Sequence, residues 1–335
     1  MICYVGCYTD DAHPDGIHVV DVNPESGALR RLSTVRLPNA IYQARSPCGG
    51  FLVSCMQGGL AAFRIKEDTL VPTDRVEWGG QCLCHVSVMP DGTRVCWADY
   101  LAGEAGIIGF DNGRFVVGSL IRHRHEGSGP NLPRQASAHC HQAIPLPNGN
   151  GYAVVDLGLD RISVYPQNRH FPTEPRGAGP RHLAYHPNGR FAFLASELGN
   201  LVSVYRLAGD GRFEYLSSLS TLPDDWKGES AVAAIRVSPD GRRVFVSNRG
   251  HDSIATFDFD KKSERLTKLS VTPLSGAFPR DFDFLPGSRI AVATLERSDV
   301  LVSLRGEADD GRLVEIGSLD GFHRPSSVSL CSRLR

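Results

Sequence analysis

An all-β chain folded as one seven-bladed propeller is the architecture this sequence predicts, and three observations lead to it. A strand–turn–strand unit recurs with prolines at Pro47, Pro90, Pro147, Pro187, Pro239 and Pro286. No segment carries a long apolar period of 3.6, so helix should be scarce. The two chain ends supply complementary parts of one further unit.

Each unit justifies itself locally. In "HVSVMPDGTRVCWAD", "HQAIPLPNGNGYAVVD", "HLAYHPNGRFAFLAS" and "AIRVSPDGRRVFVSN", proline presets the first turn position. Asp-Gly or Asn-Gly then supplies residues that tolerate positive φ. The flanks are β-branched or aromatic. "YQARSPCGGFLVSC" and "DFDFLPGSRIAVAT" are looser copies. Further strands such as "RISVYPQ" and "LVSVYRLAGDGRFEYLSSL" bring each period to about four strands, one propeller blade. The C-terminal "HRPSSVSL" reads as the first strand of a seventh copy, and "ICYVGCYT", "GIHVVDV" and "ALRRLSTV" as its other three. Joined in one blade they close the ring and remove exposed sheet edges. The expected organisation is therefore a single domain over residues 1–335.

Composition bounds the function. The 36 basic and 37 acidic side chains nearly cancel, so no global charge draws the protein to nucleic acid or membranes. The N-terminus lacks a basic leader with an apolar core, and no run approaches the roughly 18 apolar residues of a membrane span. Nine cysteines scattered through strand-like runs read as buried thiols in a reducing compartment. The cytoplasm is the expected location. Cys82 and Cys84 have no second pair at zinc-site spacing, and no metal or cofactor is expected.

Counting from the prolines locates a site. In a propeller the start of each first strand and the end of each second strand meet at one end of the channel. Six residues before proline come Ile41, Cys84, His141, Arg181, Ala233 and Arg280. Five before come Tyr42, His85, Gln142, His182, Ala234 and Asp281. Ten after, in the first five copies, come Gln57, Tyr100, Leu157, Glu197 and Arg249. One mouth should thus gather Arg181, His182, Glu197, His85, Tyr100, His141, Arg249 and Arg280. His139 should point as His141 does, two residues along the strand. Arg134 and Gln135 lie just upstream and are candidates to reach the mouth. His123 and His125 fall in the longest inter-hairpin segment, either as plain loop residues or on a loop folded over the mouth.

Several arginines and histidines around one glutamate suit an anionic small molecule undergoing proton transfer or hydrolysis at a carbonyl. His139 and His141 lack an evident third metal ligand. A water-filled mouth lined by structural ion pairs is the non-functional alternative. A scaffold propeller binding proteins by its rim is the non-enzymatic one, and it leaves the gathered Arg/His/Glu unexplained.

"GPRHLAYHPNGRFAFLASEL", "AHCHQAIPLPNGNGYAVVDLGLDRISVY", "EGSGPNLPRQ" and "VSPDGRRVFVSNRGHDSIATF" resemble the 6-phosphogluconolactonase type of the seven-bladed lactonase family. That family is similar in fold to fungal 3-carboxy-cis,cis-muconate lactonizing enzymes. The resemblance implies active-site positions at a histidine of the H-x-H pair, Arg181, Glu197 and Arg249. It implies hydrolysis of 6-phospho-D-glucono-1,5-lactone without a cofactor, or a carboxy-muconate cycloisomerase-like reaction. On that expectation Glu197 or His141 activates water, Arg181 stabilises the oxyanion, and Arg249 with Arg280 holds the phosphate. His139, His182, His85, Tyr100, Arg134 and Gln135 complete the expected substrate-binding set. Departures such as "YQARSPCGG" and "LERSDV" bear on substrate identity more than on fold.

Overall fold

The computed structural model describes residues 1–209, 211–307 and 310–331. Among them the secondary structure is strand, turn and bend, with no helix. The strands form seven four-stranded antiparallel sheets, and each is a blade. Blade 1 joins the C-terminal strand Pro325–Cys331 to Ile2–Cys7, Asp15–Val22 and Leu29–Arg36. Blades 2 to 7 follow in chain order, beginning at Gln43–Arg45, Leu83–Val88, Cys140–Pro145, Pro180–Tyr185, Ala231–Val237 and Pro279–Phe284. These first strands touch one another around the ring and line the channel.

Blade 5 shows why the sequence folds this way. Pro180–Tyr185 pairs with Phe191–Ser196, with Leu183 opposite Leu194. Between them Gly189 adopts φ +67, a conformation that glycine enters without a Cβ penalty. The Asn188 side chain accepts the Arg190 N–H at 2.9 Å and fixes the turn. Asp91, Asn148 and Asp240 do the same in blades 3, 4 and 6. Their polarity is thus consumed by turn chemistry. Every residue of Phe191–Ser196 is buried, because a second strand is covered on both faces by neighbouring blades. Outer strands such as Thr69–Gly80 instead mix buried and exposed residues.

The core is distributed over the blade interfaces. Phe193, Val202 and Ala195 of blade 5 pack with Ile235, Val246 and Phe257 of blade 6. Val5, Val20 and Val328 of blade 1 pack with Leu285, Val292 and Leu301 of blade 7. Burying each such side chain is worth about 1.5–3 kcal/mol. No single blade has a second face of its own to pack on, so the ring must close to be stable. Polar stitches reinforce the closure. Ser326 Oγ donates to the carbonyls of Gly6 and Ile41, Ser327 Oγ to Gln43 Oε1, and the Val328 N–H to Asp281 Oδ2.

Candidate active site

A recurring backbone irregularity aims side chains into the mouth. The first strands of blades 1, 3, 4, 5, 6 and 7 all break register against their neighbours close to the mouth. In blade 5 Pro180 faces Ser196 and His182 faces Ala195, so Arg181 is the unpaired extra residue. His141 and Arg280 hold the same place in blades 4 and 7. A bulge suspends the two-residue alternation and re-aims the extra side chain. That is how the adjacent residues Arg181 and His182 reach one cluster, with Arg181 Nη1 3.2 Å from His182 Nδ1.

Glu197, just past the end of Phe191–Ser196, is the hub. Its Oε1 accepts from Arg134 Nη2 at 2.7 Å. Its Oε2 lies 2.7 Å from Arg249 Nη2 and 3.2 Å from Arg181 Nε. Burial alone would raise the carboxyl's pKa. The guanidinium groups of Arg249, Arg181 and Arg134 outweigh it and hold the group well below the usual carboxylate range. Burial, then Arg249 and Arg280, push Arg181 down to about 9, so it remains a cation at neutral pH. Arg181 Nη1 donates to the Ala233 carbonyl at 2.8 Å. Its Nε–H is buried and not aimed at Glu197 well enough to form a hydrogen bond. Arg249 is tied in place, its Nε donating to the Ala231 carbonyl and its Nη2 to the Val232 carbonyl beside Glu197.

Aromatic and imidazole rings form the other wall. Tyr100 stacks on His139 with ring centres 4.3 Å apart and meets His141 edge-on. The Tyr100 hydroxyl accepts from Arg134 Nη2 at 3.4 Å. His139 Nδ1 donates to the Tyr100 carbonyl at 3.0 Å, which fixes the orientation of the ring. His141 packs against His182, which in turn meets His85 and Tyr42. Burial first, then Arg181, lowers His141 well below its ordinary pKa. Burial and Arg236 lower His85 to about 3. His141 and His85 are therefore neutral at neutral pH, not cations.

The structure therefore brings together Glu197, Arg181, Arg249, Arg134, His141, His139, Tyr100 and His182, and it revises other expectations. Gln135 is fully buried and structural: its amide donates to the Leu157 carbonyl and Asp160, and its Oε1 accepts the Asn131 N–H. His85 lies buried in the channel behind His182. His123 is the penultimate residue of the outer strand Arg114–Arg124 and stacks on Tyr165, while His125 is buried with Nδ1 2.6 Å from Asp156. His123 thus lies in a strand and His125 in the loop that follows it, and among the described residues neither is in contact with Glu197 or its arginines. Among the described residues, neither His139 nor His141 belongs to a group that could hold a metal ion.

The mouth also holds a second carboxylate. Arg280 Nη1 donates to Glu296 Oε2 at 3.1 Å, and Arg324 Nη2 to Glu296 Oε1 at 2.8 Å. Both guanidinium groups lie over the Tyr8 ring. Phe278, with φ +67, packs between Arg249 and Arg297. The expectation of one glutamate stopped one blade short, because Glu296 stands ten residues after Pro286, as Glu197 does after Pro187. Arg324, Tyr8 and Phe278 precede or follow strands at offsets the proline count does not reach.

Comparison with known proteins places these features in a wider group. Residues 2–330 match the family described as lactonase, 7-bladed β-propeller. A 6-phosphogluconolactonase of Bacillus subtilis is 33% identical over 98% of this chain and 95% of its own length. A solved protein from Lactobacillus plantarum is 28% identical with TM-score 0.90, covering 98% of this chain and 99% of its own. The periplasmic gluconolactonase of Pseudomonas aeruginosa is 25% identical with TM-score 0.89, over 98% of both chains.

Proposed function

The chain belongs to the lactonase family of seven-bladed β-propellers, and on that premise we propose that it hydrolyses a sugar lactone, with 6-phospho-D-glucono-1,5-lactone as substrate. The observation that carries this reading is the convergence of Arg134, Arg181 and Arg249 on Glu197 beside neutral His141. The relative named a 6-phosphogluconolactonase supports the choice of substrate.

With three guanidinium partners Glu197 is too acidic to take a proton efficiently. Arg134 is the exposed member, at 46%. Lactone oxygens that draw it away, while the bound substrate excludes water, raise the basicity of the carboxylate. Glu197 then removes a proton from water as the water oxygen bonds to C1. The Arg181 Nε–H, buried and unpartnered, donates to the developing oxyanion. When the C1–ring oxygen bond breaks, the proton on Glu197 passes to that oxygen, which leaves as a hydroxyl. The new carboxylic acid gives its own proton to solvent. His141 and Tyr100 orient the ring, and Arg249 anchors Glu197.

The product, 6-phosphogluconate, assigns the reaction to the pentose phosphate pathway. A cytoplasmic location agrees with nine unpaired cysteines. The test is hydrolysis of 6-phosphogluconolactone, gluconolactone and a muconolactone, each corrected for spontaneous opening. The phosphorylated sugar lactone should be turned over fastest. Preference for the muconolactone would reassign the protein to the cycloisomerase reaction, and no turnover of any lactone would refute the proposal.

A further inference from the structure

Blades 5 and 7 repeat one constellation. In each, a bulged arginine six residues before the turn proline pairs with a glutamate ten residues after it: Arg181 with Glu197, and Arg280 with Glu296. In each, an arginine outside the blade completes the unit, Arg249 for Glu197 and Arg324 for Glu296. The two units differ in how tightly they are tied. Arg249 is 7% exposed and bound to two carbonyls, whereas Arg324 is 52% exposed and its guanidinium contacts Glu296 and the face of Tyr8. Arg324 can thus turn from Glu296 to an incoming anion without breaking a backbone bond.

We infer that the blade 7 unit, Arg280–Glu296–Arg324 over Tyr8, is the subsite for the phosphate end of the substrate, with Arg324 as its specificity-determining residue. This deepens the proposed lactonase reading and rests on it. A phosphorylated aldonolactone carries its carbonyl and its phosphate at opposite ends, so the two need separate seats on one mouth. The blade 5 unit spends its three guanidinium groups on Glu197. The blade 7 unit has two against one carboxylate, a net positive charge presented by planar forks that match phosphate oxygens. Tyr8 also lines a cavity of about 170 Å³, together with Gln57, Gln81, Ile41 and Met56. Its amides suit the hydroxyls next to the phosphate. The phosphate role thereby passes from Arg249, buried and tied to two carbonyls and Glu197, to Arg324 with Arg280.

Two measurements on the full-length protein test this, using Arg324→Gln, with Arg324→Lys to retain the charge without the fork. The first is the ratio of kcat/KM for 6-phosphogluconolactone over gluconolactone. It should favour the phosphorylated substrate in the wild type and fall about tenfold in R324Q, the loss expected for charge-assisted hydrogen bonds to one group, with R324K between. The second is calorimetric binding of 6-phosphogluconate and gluconate, which needs no turnover. The phosphorylated acid should bind more tightly, and that advantage should shrink about tenfold in R324Q. An unchanged ratio or an unchanged binding advantage overturns the subsite. Absent turnover with an intact, Arg324-dependent phosphate preference would refute the lactonase reading and leave the phosphate seat standing.

Discussion

Glu197 receives guanidinium groups from a loop, from its own blade and from the next, and in the proposed mechanism its basicity depends on which of them a substrate removes. In the free protein Glu197 is ionised and His141 neutral throughout the neutral range, since both are lowered. Blank-corrected kcat/KM for unphosphorylated gluconolactone should therefore be flat between about pH 6.5 and 8. An acid limb near the ordinary histidine value would show that a normal imidazole controls the step. The buried histidines give stability its own pH dependence. His85 has a folded pKa of about 3 against about 6.5 in the unfolded chain. Between those values the unfolded chain binds a proton that the folded one refuses. The contribution of this neutral histidine is full above about pH 6.5 and declines as pH falls, by about 1.4 kcal/mol per unit. Urea unfolding at pH 7 and pH 5 should show a loss about 2 kcal/mol smaller in His85→Gln than in the wild type.

At the level of single elements, the hairpin separates stability from activity. Its turn lies at one end of the channel and its open ends at the other. Gly189→Val places a β-branched residue at φ +67, which should cost more than 1 kcal/mol in denaturant, while kcat per folded molecule stays within twofold. A large fall in kcat would mean that the turn end communicates with the site. The same hairpin explains what the sequence reveals. Proline, Asn-Gly and a two-residue period are local, so turns, strands and the offsets of Arg181 and Glu197 are readable from spacing alone. The bulges are not: nothing in "PRH" announces that Arg181 is unpaired, because the irregularity arises from pairing with Phe191–Ser196. The structural role of Gln135 is hidden in the sequence for a related reason. Its partner Asp160 is 25 residues away, and only the fold shows the amide already satisfied. His125 likewise finds Asp156 from 31 residues away.

For the whole molecule, closure decides everything else. Ile2 pairs with Cys331, so one blade is built from both ends of the chain. The split was legible because "HRPSSVSL" lacks strand partners near it and the N-terminal strands lack a first strand. A chain ending at Arg324 loses the inner strand of blade 1 and its bonds to Gly6, Ile41, Gln43 and Asp281. It should lose cooperative unfolding and aggregate, as read by calorimetry and gel filtration, because the exposed edge of Ile2–Cys7 is then an open pairing template. A cooperative, monomeric truncation would mean that the blades are stable without the ring. The same closure gathers the arginines on Glu197, and kinetics of Glu197→Gln probe that gathering most directly. With 6-phosphogluconolactone and the spontaneous rate subtracted, kcat should fall about 100-fold or more while KM moves less than threefold. A kcat equal to that of the wild type would contradict the assignment of this carboxylate as the base.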